Sequence, residues 1–114
     1  MLELFVALVL PFKATLHAPT HTPRVNTPWP ISIRVTDRSG HPIRARLTMR
    51  FLFAGIPVGK VDNGRVYRFI GTWREPKGQE IMFPAQGRGQ RLTFQALVTA
   101  RRRTVELNYW VQPR

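Results

Sequence analysis

The chain has 114 residues, enough for one domain around one core and too few for two. It contains no cysteine, which excludes a disulfide staple, a thiolate nucleophile and a zinc site built on sulfur, and leaves stability to packing. Eighteen basic residues against six acidic ones give a net charge of +12, so attraction to polyanions is general, with nucleic acid, anionic lipid and acidic polysaccharide all admitted as partners.

The first eleven residues, Met1 to Pro11, form an apolar leader whose seven-residue run from Leu4 to Leu10 falls far short of the ~20 residues a membrane-spanning helix needs. Glu3 stands where a secretory signal carries Lys or Arg, and no small-residue cleavage site follows Leu10. Three readings stay open for this leader: the tail of a truncated signal, a buried strand, or a hydrophobic strip held by a partner. A mature terminus near Phe12 would mean export.

From Phe12 to His17 apolar and polar residues alternate, and the prolines at 19, 23 and 28 then impose a long extended loop. Alternation returns over 29–36, with Trp29, Ile31, Ile33 and Val35 on one face, breaks at Asp37 to Pro42, and resumes over 43–53, with Ile43, Ala45, Leu47, Met49, Phe51 and Phe53 on one face. This pattern reads as a strand, a reversal and a strand, whose opposite faces carry Arg34, Arg44, Arg46 and Arg50. The segment 54–57 reads as a reversal, 65–70 as a strand ended by Gly71, 72–78 as a loop, and 81–83 as a short strand stopped by Pro84. The clearest hairpin closes the chain: Leu92, Phe94, Ala96 and Val98 alternate outbound, Arg101, Arg102 and Arg103 crown the tip, and Val105, Leu107, Tyr109 and Val111 alternate on the return.

No window carries apolar residues at helical spacing behind a capping residue, which predicts essentially no helix. About seven strands at these turn spacings predict an all-β domain over residues 12–114, an immunoglobulin-like antiparallel β-sandwich.

The pieces Leu16–Pro23, Trp29-Pro30, Val35-Thr36-Asp37 followed by Gly40-His41-Pro42-Ile43, Phe83-Pro84-Ala85 with Gly89, and Tyr109-Trp110-Val111 resemble a group of small secreted proteins of high-GC Gram-positive bacteria. In broader outline the chain is similar to bacterial immunoglobulin-like modules, including the YtkA-like kind. The resemblance implies a fold and an extracellular or cell-envelope setting, with no activity and no shared catalytic residues.

The residues themselves offer no catalytic constellation. Glu3, Asp37, Asp62, Glu75, Glu80 and Glu106 are scattered, and Asp37 and Asp62 sit in turns where a short carboxylate accepts backbone hydrogen bonds. His17, His21 and His41 are the plausible metal ligands, yet their spacing in a proline-bearing loop fixes no geometry; the expectation is no metal and no cofactor. The basic surface is the stronger lead, because an arginine fork binds phosphate or carboxylate in a bidentate way. Fifteen arginines against three lysines fit that use, although GC-rich coding produces the same bias. The expected site is Arg34, Arg44, Arg46, Arg50, Arg101, Arg102 and Arg103, on a non-enzymatic envelope or extracellular module that contacts an acidic polysaccharide or a protein partner. A basic intracellular subunit bound to nucleic acid, with Tyr67, Trp73 or Trp110 stacking on bases, is the alternative, and a histidine-based metal carrier the third.

Overall fold

The computed structural model describes residues 10–114, so the first nine residues of the leader lie outside the described residues. Within it Leu10 is exposed and Pro11 half-buried. The fold is all-β with antiparallel pairing, and among the described residues the helical turns are the 3-10 segments Val61–Gly64 and Ala85–Gly87. No helix is long and apolar enough to cross a membrane.

Ten strands form three sheets among the described residues: β1 (Lys13–His17), β2 (Pro28–Trp29), β3 (Ser32–Thr36), β4 (Arg44–Phe53), β5 (Ile56–Lys60), β6 (Tyr67–Ile70), β7 (Thr72–Arg74), β8 (Ile81–Met82), β9 (Leu92–Ala100) and β10 (Arg103–Val111). One sheet has the order β1-β3-β7; the largest has the order β10-β9-β4-β5, with β6 also on β4; β2 pairs β8. Ile33 and Val35 of β3 and Trp73 of β7 meet Ala45, Leu47 and Met49 of β4 and Phe94, Ala96 and Val98 of β9 in one buried cluster. Period-two alternation therefore sorts both sheets: one stripe goes inside and its complement stays in water.

Several expectations change in detail. Residues 29–36 do not form one strand, because Pro30 has no N–H for the ladder; Trp29 pairs with Ile81 in β2–β8, while β3 begins at Ser32 and pairs with β1 and β7. The reversal at 37–42 is a crossing between sheets: backbone bonds from Asp37 N to His41 O at 2.8 Å and Gly40 N to Asp37 O at 3.1 Å close the turn, but beyond the isolated bridge Thr36–Pro42 β3 and β4 do not pair. Asp37 builds the turn, its Oδ1 accepting from Ser39 N at 2.9 Å and His41 N at 2.8 Å. Ile56–Lys60, of which only 56–57 belong to the expected reversal, is a strand whose five residues are all exposed, and Thr72–Arg74, read as loop, is a strand with Trp73 buried. Short strands of this kind raise the number above the expected seven.

The chain crosses between the two larger sheets a second time at Gly71, between β6 and β7. Gly71 N donates to Ile43 O at 3.1 Å and Gly71 O accepts from Val35 N at 2.6 Å, so one residue is hydrogen-bonded to the segments that begin β4 and end β3. It sits at φ +77°, and a Cβ there would lie 2.8 Å from Pro42 Cβ.

The proline-bearing loop is fixed at two points. Trp29, fully buried, donates from Nε1 to Thr20 O at 2.9 Å and packs edge-on against Phe83 and Phe94 with centroids 5.4 and 5.5 Å away. His21 stacks on both Tyr109 and Trp110, at 3.9 and 4.0 Å, and its Nδ1 is 2.7 Å from Trp110 O. Backbone bonds from Gln112 N to His21 O and from Arg114 N to Pro23 O continue this contact, so the loop covers part of the free edge of β10.

Gly71→Ala combines left-handed strain with the clash on Pro42, whereas Gly78, at φ +84° with open space around it, isolates the strain alone. In denaturant melts Gly78→Ala is expected to cost about 1 kcal/mol and Gly71→Ala about 2–4 kcal/mol. Equal costs would show that the close approach at Pro42 does not constrain the crossing.

Candidate functional site

The outward stripe of β4 carries Arg44, Arg46 and Arg50, alternating with buried Ala45, Leu47 and Met49. Its neighbours add more cations in direct register. Arg46 faces Arg68 of β6, and Arg50 faces Lys60 of β5. Cβ atoms of directly opposed residues lie about 4.5–5.5 Å apart, and like charges in such pairs destabilise a sheet. Five cations therefore share one face across β4, β5 and β6. Among the described residues the one ion pair within 4 Å is His41–Asp37, so none of these five cations has a described carboxylate that close; Glu106, outward on β10, reaches Arg50 only through Gln95.

Arg50 is held in place. Its Nε donates to Gln95 Oε1 at 2.7 Å, and Gln95 Nε2 donates in turn to Asn108 Oδ1 at 2.9 Å and, more weakly, to Glu106 Oε2 at 3.4 Å. Gln95 lies on the outward side of β9 but is only 3% exposed. Register makes the row: Arg50, Gln95 and Asn108 stand opposite one another on three adjacent strands. This row satisfies the Arg50 Nε and leaves its terminal nitrogens available for an anion.

The tip of the β9–β10 hairpin is a two-residue turn in which both central residues are arginines with positive φ, Arg101 at 46° and Arg102 at 64°. A type I′ turn of this kind favours Asn-Gly, because a left-handed residue with a Cβ costs about 1–2 kcal/mol. Arg101 joins Arg44 and Arg46 in lining a surface concavity of about 200 Å³, and Arg44 with Arg68 lines a neighbouring one of about 250 Å³.

The seven expected site residues thus divide. Arg44, Arg46, Arg50 and Arg101 come together. Arg102 stands exposed at the tip. Arg103 pairs with Ala100, on the core-facing side of the hairpin, and so leaves the face that Arg44 and Arg46 occupy. Arg34 belongs to the other sheet, where its Nη1 donates to Thr72 Oγ1 at 3.1 Å, and it does not join them. Lys60 and Arg68 were missed. For Arg68 the signal was present, since alternation with Tyr67 and Phe69 already puts it outward; Lys60 follows Pro57 and Gly59, where alternation is lost.

Of the three aromatics considered for stacking on bases, Trp73 is buried and Tyr67 half-buried. Trp110 faces outward at 39% exposure, but Arg91 Cζ lies 4.3 Å from its ring centroid and the stacked His21 ring 4.0 Å. Two groups at those distances fit only on opposite faces of one indole, so no face is open to a base. No group of three or more His, Asp or Glu able to hold a metal ion occurs among the described residues. His41 lies 3.3 Å from Asp37 Oδ2, and its turn holds the Asp37 carboxyl below the ordinary value, chiefly through the backbone bond from His41. The chain matches no protein-family model and no curated protein sequence.

A second electrostatic cluster lies on the loop after β7. Burial pushes the Glu75 carboxyl up to about 7 against a hydrogen bond from Ile81 N that favours the anion, with Asp62 and Glu80 adding repulsion. Tyr67 donates to Asp62 Oδ2 at 2.6 Å, and burial followed by that bond raises the Tyr67 phenol. The folded chain therefore holds a proton on Glu75 that the unfolded chain, with the ordinary value of 4.5, releases. Stability from this group is present below pH 4.5 and is lost as pH rises towards 7. Thermal melts of the unaltered chain and of Glu75→Gln should converge at the acid end of that window and separate at neutral pH, with Glu75→Gln the more stable; parallel curves would show that Glu75 titrates normally.

Proposed function

We propose that this protein is a non-enzymatic binding module that grips an acidic polysaccharide through the outward face of β4 and its neighbours. The observation that carries the reading is the two opposed pairs of cations, Arg46 with Arg68 and Arg50 with Lys60, none of which has a carboxylate of the described residues within 4 Å. Fold stability alone disfavours that arrangement, and an extended polyanion relieves it. The left-handed arginines at the hairpin tip are a second place where charge stands at the expense of local conformation. Arg44, Arg46, Arg50 and Arg101 offer forks for successive sulfates or carboxylates, and the ~20 Å from Arg44 to Arg50 along the strand suits several sugar units.

The proposal includes an immunoglobulin-like arrangement of the two larger sheets and an envelope or extracellular setting, as the resemblance of the sequence implies. The alternative, a nucleic-acid-bound subunit, has the same cations in its favour. Of the three aromatics expected to stack on bases, Trp73 is buried, Tyr67 half-buried and Trp110 covered on both faces, which favours contact with a duplex backbone as its form.

Arg46→Gln combined with Arg68→Gln is expected to elute from immobilised heparin at clearly lower salt than the unaltered chain and to melt about 1–4 °C higher, because one opposed pair is removed. Arg101→Asn with Arg102→Gly is expected to move both quantities in the same directions. Unchanged heparin elution would overturn the proposal. Retention by duplex DNA to higher salt than by heparin, with log affinity falling about 0.9 per phosphate neutralised, would replace it with the nucleic-acid reading.

A further inference from the structure

The β4–β5 hairpin ends in six consecutive uncharged residues, Phe53-Ala54-Gly55-Ile56-Pro57-Val58, and its large side chains are displayed. Phe53 is 51% exposed, Ile56 66% and Val58 57%. Phe53 and Ile56 are cross-strand partners and so lie on one face, and Phe53, Val58 and Leu92 with Gln90 line a surface hollow of about 270 Å³. At the turn itself Ala54 has φ 50° beside Gly55 at 79°. That position favours Asn, Asp or Gly, so an apolar residue stands where a polar one costs less.

Cations collar this apolar tip. Arg50 and Lys60, directly opposed, sit on the two strands behind it, and with Pro57, Val58 and Gly59 they line a second hollow of about 310 Å³. Four or five residues separate the collar from the turn, about 13–16 Å at the rise of an extended strand. Apolar groups at a bilayer interface sink about 5–10 Å into the headgroup/acyl boundary, which leaves the backbone of such a collar a few ångströms outside it, with the long cationic side chains in reach of the lipid phosphates.

We infer that the Phe53–Val58 tip is a membrane-docking loop that inserts into the interface of an anionic phospholipid bilayer, with Arg50 and Lys60 on the headgroup phosphates. Charge selects this occupant. A second copy of a chain with net charge +12 would bring one Arg50–Lys60 collar towards another, and Pro57 removes an N–H from the edge on which strand addition depends. An anionic bilayer meets both the apolar tip and the cations. The inference shares Arg50 and Lys60 with the polysaccharide proposal and is separated from it by the apolar pair Phe53 and Ile56, which lies on the opposite side of the hairpin from those cations.

Sedimentation of the full chain with vesicles of phosphatidylglycerol and phosphatidylcholine tests it. The unaltered chain is expected to bind the mixed vesicles and to ignore pure phosphatidylcholine. Phe53→Ser with Ile56→Ser keeps every charge, lies on the side of the hairpin away from Arg50 and Lys60, and is expected to lower vesicle affinity at least about tenfold while leaving heparin elution unchanged. In a separate variant, the indole introduced by Ile56→Trp should shift its emission to the blue on vesicles and not on heparin. Equal sedimentation of the serine variant and the unaltered chain, or no emission shift, would overturn the inference. A concentration-dependent dimer that the serine variant abolishes would assign the tip to a second copy and overturn it as well.

Discussion

Strand β4 is the constraint from which both the core and the candidate site follow. Along its ten residues, Ala45, Leu47, Met49 and Phe51 turn towards the buried cluster, and the residues between them turn to water. A one-residue slip would bury three guanidinium groups and expose Leu47 and Met49, so hydrophobic burial fixes the register with large margin. The same register sets Arg46 against Arg68 and Arg50 against Lys60. The cationic face is thus held rigidly by the packing behind it, and its repulsion cannot relax by sliding a strand.

The rest of the molecule supports that strand from both sides. Gly71 hydrogen-bonds to Ile43 and to Val35, which ties the start of β4 to the end of β3 across the gap between sheets. On the far side of β9, the row Arg50, Gln95, Asn108 links β4 to β10 through polar side chains, and a nearly buried amide in such a row has its partners supplied by the strands themselves. The stack of Tyr109, His21, Trp110 and Arg91 then secures the proline-bearing loop along β10. What these supports leave uncovered is the β4–β5 hairpin, whose apolar residues Phe53, Ile56 and Val58 stand in the open.

Much of this was legible in the chain. Alternation over 43–53 and 92–111 gave the long strands of the main sheet and the inward and outward sides of each, and with them Arg44, Arg46 and Arg50. Alternation reports side parity and nothing about neighbours, which is why Arg34 was grouped with residues of a different sheet. Parity across a hairpin is set by its turn: the two-residue turn at Arg101 and Arg102 sends Arg103 to the opposite side from Thr104, a distinction that a run of three arginines does not display. Trp73 was hidden in a three-residue strand followed by Glu75-Pro76-Lys77, and β5 in a segment with Pro57 and Gly59 and no buried residue. The packing of Trp29 against Phe83 and Phe94 joins residues far apart in sequence, which no local period encodes.

The central claim is that β4 and its neighbours carry opposed cations that the fold itself leaves uncompensated. The most direct test is the melting temperature of the unaltered chain as sodium chloride rises from about 10 mM to about 0.15 M, a range over which the screening length falls from about 30 Å to about 8 Å. Screening of uncompensated repulsion is expected to raise the melting temperature steadily across that range. A melting temperature that falls with salt would mean that attractive pairs dominate this surface, and the account would fail.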